Sequence, residues 1–127
     1  MKILLDTTVL VDALRARNKR RELLAQLVRQ GHELCTTALN VAEVHGGMRP
    51  HERSATETFL DAFPSFAIDL VIARSAGDFK SQWARQGRTL GIVDCAIAAA
   101  AVEHGCLLAT DNRRDFPMPE IKLYPVP

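Results

Sequence analysis

Apolar residues change their spacing at short intervals along this chain, and each change marks an element. Residues 2–5 form a short apolar run ending in Asp6, which reads as a buried strand. Thr7 and Thr8 can cap a helix over residues 9–14. Asn18 precedes an amphipathic stretch in which Leu23, Leu24, Leu27 and Val28 recur at helical spacing until Gly31 stops it. Residues 33–36 predict a second strand. Thr37 then caps a helix through Leu39, Val41 and Val44, closed by Gly46 and Gly47. Residues 54–63 read as a helix stopped by Pro64, and residues 65–68 as a third strand. Asp69 starts a long helix towards Arg85, ending at Gly87. Gly91 opens a small-residue helix over residues 94–103, with Gly105 as its stop. Residues 106–109 predict a fourth strand and residues 121–124 a fifth.

Strands alternating with helices imply an α/β fold: a three-layer α/β/α sandwich with a mainly parallel sheet of four to five strands. Crossovers in such a sheet are right-handed, and helices cover both faces. With no repeat, low-complexity tract or linker, residues 1–127 read as a single domain. Pro117, Pro119, Pro125 and Pro127 mark the last segment as a surface tail.

Composition sharpens this only in places. Hydrophobic residues at 47% and charged residues at 24% exclude a disordered chain. Aromatics at 6% leave the core to aliphatic and alanine packing. A formal net charge of +1 neither requires nor excludes a nucleic-acid partner, although Arg15, Arg17, Lys19, Arg20 and Arg21 form a basic run. Cys35, Cys95 and Cys106 are odd in number, form no CxxC pair and lie in apolar stretches, so free buried thiols of a reducing compartment are expected. No apolar run approaches membrane-spanning length and no signal-peptide pattern fits residues 1–6, which gives the expectation of a cytoplasmic protein without a membrane partner.

The chemistry gathers where such sheets place it, beyond the carboxyl ends of the strands. Asp6 follows the first strand, and Thr110, Asp111 and Asn112 follow the fourth. Glu43 and Asp94 sit on helices that follow strands. Each acid has an ordinary explanation: Asp6 as a helix cap, Glu43 as a solvated helix flank, Asp94 as a partner of the helix dipole, and Asp111 and Asp115 as loop residues. Together they ask for more, because several like charges share a partly buried site only with a counter-charge. Oxygen donors without a Cys or His set point to Mg²⁺, with Mn²⁺ as the alternative, rather than Zn²⁺. His45 and His104 each precede a helix-ending glycine and suit the helix dipole instead. A hard cation among carboxylates suits phosphoryl chemistry. Thr7, Thr8, Thr110 and Asn112 can position waters or phosphate oxygens, and Arg85 and Arg88 can contact a nucleic-acid backbone or simply be exposed helix-end charges.

At these residues the sequence resembles the PIN-domain ribonucleases, specifically the VapC-type toxins of bacterial toxin–antitoxin pairs. The matching pieces are Ile3-Leu4-Leu5-Asp6-Thr7-Thr8-Val9-Leu10, the stretch from Thr37 to Glu43, the stretch from Gly87 through Asp94 to Ala98, and Leu107-Leu108-Ala109-Thr110-Asp111-Asn112-Arg113-Arg114-Asp115-Phe116, in that order. The resemblance implies that Asp6, Glu43 and Asp94 are metal-binding acids, with Asp115 as the fourth and Asn112 supporting it. Asp111 would be a variable, solvated position, and Thr8 stands where Ser or Asn is more usual. It further implies Mg²⁺-dependent hydrolysis of RNA, often transfer or ribosomal RNA, a homodimer, and a cognate protein antitoxin. Leu10, Val11, Leu14 and Leu27 could line the antitoxin's groove or be ordinary core. Residues 47–80 carry no matching motif. Two rivals remain: a PIN-like binding module without catalysis, and a phosphohydrolase using Asp6 as nucleophile. The second wants another Asp two residues on, where this chain has Thr8.

Overall fold

The computed structural model describes residues 1–127. Strand β1 (Lys2–Leu5) leads into α1 (Thr7–Leu14) and α2 (Arg20–Arg29). Strand β2 (Glu33–Thr37) leads into α3 (Ala38–Gly46), a 3-10 turn (Pro50–Glu52) and α4 (Arg53–Asp61). Strand β3 (Ser65–Phe66) is followed by α5 (Leu70–Ala84) and α6 (Ile92–Glu103). Strand β4 (Leu107–Ala109), a 3-10 turn (Arg113–Asp115) and β5 (Leu123–Tyr124) complete the chain. All neighbouring strands run parallel in the order β3-β2-β1-β4-β5.

Strand side chains alternate between two cores, which makes this a three-layer sandwich. Leu4, Cys35 and Leu108 point to the face covered by α5 and α6, where Ile72 and Phe79 pack against the seven consecutive buried residues from Cys95 to Ala101. Ile3, Leu5, Leu34 and Ala109 point to the opposite face, against Val9, Leu10, Leu24, Leu27 and Leu60 of α1, α2 and α4. Helix α3 lies between them, giving Val44 to the second core and Leu39 to the first. The alanines of α6 are what let α5 approach closely enough to seat Phe79 and Trp83 against it. All three cysteines are buried and free, and burial pushes the Cys35 thiol up to about 12, so it stays protonated.

Three expectations need correction. Helix α1 starts earlier than residue 9, because Asp6 and not Thr7 or Thr8 is its cap: the Asp6 carboxylate accepts the Thr7 N–H at 2.9 Å. The closing proline-rich segment is more than a surface tail. Phe116 and Met118 are buried in the first core, and Leu123 and Tyr124 pair with Leu108 and Ala109 as an edge strand. Prolines are compatible with that place because an edge strand leaves one side of its backbone unpaired. Finally, His104 does cap the end of α6, but its ring stacks on Phe66 with centroids 3.7 Å apart.

Leu4 is fully buried at the middle of the central strand. Leu4→Ala is expected to lower stability by about 3 kcal/mol, the usual loss for a buried leucine whose cavity cannot collapse. Val28→Ala, at a position 58% exposed, is expected to shift it by less than about 0.5 kcal/mol. Urea unfolding followed by circular dichroism checks both.

Candidate active site

The sheet order reverses direction at β1: the chain first builds outward through β2 and β3, then returns to place β4 on the other side. Ligand sites of open α/β sheets lie at such a switch point, beyond the carboxyl ends of its strands. Here those ends are Asp6 and Thr110, and the Asp6 N–H donates to the Ala109 carbonyl at 3.0 Å.

Asp6 is only 4% exposed. Its Oδ1 accepts from the Thr7 N–H at 2.9 Å and the Asn40 amide at 3.1 Å, and its Oδ2 accepts the Thr110 hydroxyl at 2.6 Å. Burial raises its pKa most, and the Glu43 charge adds to this, while the bonds from Thr110, Thr7 and Asn40 oppose it. Glu43 lies on the exposed side of α3 and accepts the Thr7 hydroxyl at 2.7 Å. Asp94 stands in the first turn of α6, half-buried, and is pushed up to about 6. Burial is the main cause; the charges of Asp115, Asp6 and Glu43 follow in that order. The four acids picked from the sequence therefore feel one another, although they come from four separate segments. Asp115 is exposed at the end of its 3-10 turn.

The supporting residues divide. Thr7 and Thr110 contact the acids directly. Thr8, half-buried in the first turn of α1, makes none of these bonds. Asn112 contributes its backbone N–H to the Thr110 Oγ1 at 3.0 Å, while its side chain is exposed. Arg85 is exposed at the end of α5. Arg88 is exposed too, but its guanidinium donates to the Arg114 carbonyl, beside Asp115. Leu10 and Leu27 are fully buried core, so of the four groove candidates only Val11 and Leu14 reach a surface cavity. A nucleophilic role for Asp6 fits poorly, since Thr8 and not a second Asp stands two residues on.

The sequence matches the family model described as PIN domain over residues 3–119. The chain belongs to the PIN-domain family. Ribonuclease VapC19 of Mycobacterium tuberculosis is 36% identical over 115 residues, which is 91% of this chain and 92% of that relative. The tRNA(fMet)-specific endonuclease VapC of Shigella flexneri is 25% identical over 121 residues, 91% of this chain and 90% of its own. Among solved structures, VapBC2 from Rickettsia felis bound to a promoter DNA fragment matches with a TM-score of 0.85 at 20% identity, covering 98% of both chains, and this likeness concerns the fold.

Two parts of this PIN domain's acidic edge were missed in the sequence. Asn40 is fully buried, one helical turn before Glu43, and it donates to Asp6 and to the Thr7 oxygen at 3.0 Å while accepting the Thr37 hydroxyl at 2.7 Å. A polar residue on the inward face of α3, three before Glu43, was the available signal. Arg20 was read as one of a surface basic run, yet it is 5% exposed and its guanidinium holds Asp111 at 2.7 Å. Asp111 is thus exposed and yet paired, and its ion pair anchors the turn that carries Thr110 and Asn112.

Ribonucleases of the family generally depend on a divalent cation. The residues present fit such an ion in donor chemistry: four carboxylates with only hydroxyls and an amide between them, and no basic side chain opposing the rise at Asp94. No three of them stand in coordinating positions as the side chains lie, because Asp6 and Glu43 are turned to their internal donors.

Asp94 titrates at about 6 when folded and near 3.8 when free, so the folded state keeps its proton longer. Its contribution to stability is whole below pH 4 and is lost as the pH rises through 6. Asp94→Asn is therefore expected to raise the metal-free melting temperature at pH 7.5 and to leave it unchanged at pH 4, as differential scanning fluorimetry will read. Asp111→Asn removes the only carboxylate partner of buried Arg20 and is expected to cost about 2 kcal/mol. A double-mutant cycle with Arg20→Met should recover part of that loss in chemical denaturation.

Proposed function

We propose that this chain is a VapC-type endoribonuclease, the toxin of a toxin–antitoxin pair, and that it hydrolyses RNA phosphodiester bonds at the acidic edge with Mg²⁺ as the preferred ion. The observation that carries this reading is the uncompensated gathering of Asp6, Glu43, Asp94 and Asp115 at the switch point of a PIN domain. When bound there, a hard divalent cation supplies a counter-charge, orients a phosphate oxygen and lowers the pKa of a coordinated water.

The chain's own residues have separate tasks in this reading. Asp6, Asp94, Glu43 and Asp115 hold the ion. Thr110, Asn40 and the Thr7 N–H hold the Asp6 carboxylate at the floor of the site. Thr7 also holds Glu43 through its hydroxyl. Asn112 holds Thr110 in place, and Arg88 fastens the Asp115 turn to the segment before α6. Arg85 remains a candidate for the RNA backbone. Transfer RNA is the substrate class favoured here, following the printed specificity of the Shigella flexneri relative. A cognate antitoxin and a homodimer complete the proposal. No helix is long and apolar enough to cross a membrane, so the chemistry has no membrane-embedded element among the helices to accommodate.

Purified protein, freed of any copurifying partner, is expected to cut total bacterial RNA into discrete products in Mg²⁺ and not in EDTA. Asp94→Asn and Asp6→Asn are expected to lower the rate at least a hundredfold while retaining the circular dichroism spectrum. Wild-type cleavage by either folded variant would remove these acids from the mechanism. Failure of the wild-type protein on transfer, ribosomal and messenger RNA alike would favour a binding module.

A further inference from the structure

Next to the acidic edge is a cavity of about 190 Å³, walled by Glu43 on one side. Val11 and Leu14 of α1, and Val44 and Met48 after the midpoint of α3, make its apolar surfaces. Arg15 and Glu52 stand at its polar side as a loose ion pair, 3.6 Å apart and about three-quarters buried. Glu52 is held in place by accepting the Arg49 N–H at 2.7 Å. Thr56 of α4 also lines the cavity. It is fully buried, and its Oγ1 has no hydrogen-bond partner. An unpaired buried hydroxyl costs about 1–3 kcal/mol, which a fold keeps where something else satisfies it.

We propose that this cavity is a nucleobase subsite, taking a purine that flanks the scissile phosphate. This rests on the ribonuclease reading above and names what that site recognises. The volume is below the usual range of small-molecule pockets and suits one unstacked ring system. Sequence-specific readers of RNA take splayed bases between apolar surfaces and bond their edges. The polar side offers a guanidinium donor beside a carboxylate acceptor. Both purines present the complement, guanine with O6 and N7 accepting and N1–H and N2–H donating, adenine with N7 and N1 accepting and N6–H donating. Uracil and cytosine offer a donor beside an acceptor too, but their single ring leaves much of the cavity unfilled. Thr56 Oγ1 then gains a polar neighbour at the floor. Because Glu43 is shared between cavity and acidic edge, a base seated here places its attached phosphate beside the carboxylates.

The test uses the whole protein in two arms. In the first, methyl resonances of Val11, Val44, Met48 and Thr56 are followed by NMR during titration with each nucleoside 5′-monophosphate. Guanosine and adenosine monophosphates are expected to shift them at millimolar concentration, with at least a fivefold weaker response to the pyrimidines, and Thr56→Val and Arg15→Gln are expected to reduce the response. In the second, cleavage of a randomised RNA pool is sequenced, and both variants are expected to flatten the purine preference beside the cut by about tenfold. Equal shifts with all four nucleotides, or none, overturn the assignment. An unchanged sequence preference in both variants overturns it as well. Should the wild-type protein cut no RNA, the NMR arm still decides the subsite, so loss of the ribonuclease reading and loss of the subsite are separable. Arg15→Gln keeps the polarity of a partly exposed side chain and leaves the test usable if Thr56→Val fails to fold.

Discussion

Everything at the functional edge hangs on one buried carboxylate. Asp6 sits among leucines at the end of the central strand, where charge is disfavoured. The fold resolves this by bringing donors from three segments to it: the first amide of α1, the amide of Asn40 on α3 and the hydroxyl of Thr110 after β4. These are the segments that a parallel sheet with a reversal at β1 brings together. The same bonds therefore close the sheet edge, start α1 and orient the acid. Asp6 as helix cap and Asp6 as site residue are not competing explanations, since a cap is a carboxylate fixed by backbone donors.

The other acids follow a different economy of position. Asp94 has no such donors and is driven up to about 6 by burial and its acidic neighbours. A stability-optimised fold would neutralise it. Its retention as a free carboxylate gives the site unspent negative charge, which a cation can meet without breaking any internal bond. Glu43 and Asp115 add to that field from the rim, where water limits the penalty. The site thus grades from a fully satisfied acid at its floor to solvated acids at its mouth, and only the middle one is strongly perturbed.

Much of this was legible in sequence. The layer order, the five strands and the acids at strand ends follow from hydrophobic blocks and the rule about switch points, because short apolar runs and glycine stops are local signals. Boundaries shifted where a tertiary partner decided them. Strand β3 shrank from residues 65–68 to Ser65–Phe66, since its only neighbour is β2. The closing segment gained buried Phe116 and Met118, because its prolines report backbone restriction and not exposure. Asn40 and Arg20 were missed for a shared reason: each is a polar residue whose partner lies far away in sequence, 34 positions for Asn40 with Asp6 and 91 for Arg20 with Asp111. No periodicity reports such a pairing. Arg20 was further disguised by standing within a run of basic residues that are exposed.

That disguise points to how the turn between α1 and α2 works. Ala16, Asn18 and Lys19 all adopt left-handed backbone conformations, with φ of 53°, 52° and 54°. For alanine and lysine this costs roughly 1–2 kcal/mol each, and only asparagine tolerates it readily. Such strain persists when surrounding bonds over-determine it. Here the Asp12 carboxylate accepts the Asn18 amide at 2.9 Å, the Asp12 carbonyl accepts the Arg17 N–H at 2.7 Å, and the Arg20 guanidinium bonds both the Asn18 carbonyl and Asp111. The turn is wound tightly enough to bring a buried cation from the start of α2 to the loop after β4. That loop carries Thr110, and Thr110 holds Asp6. A strained turn with no acid of the active edge in it therefore contributes to the placement of the central one, through two hydrogen-bonded steps that begin at Arg20.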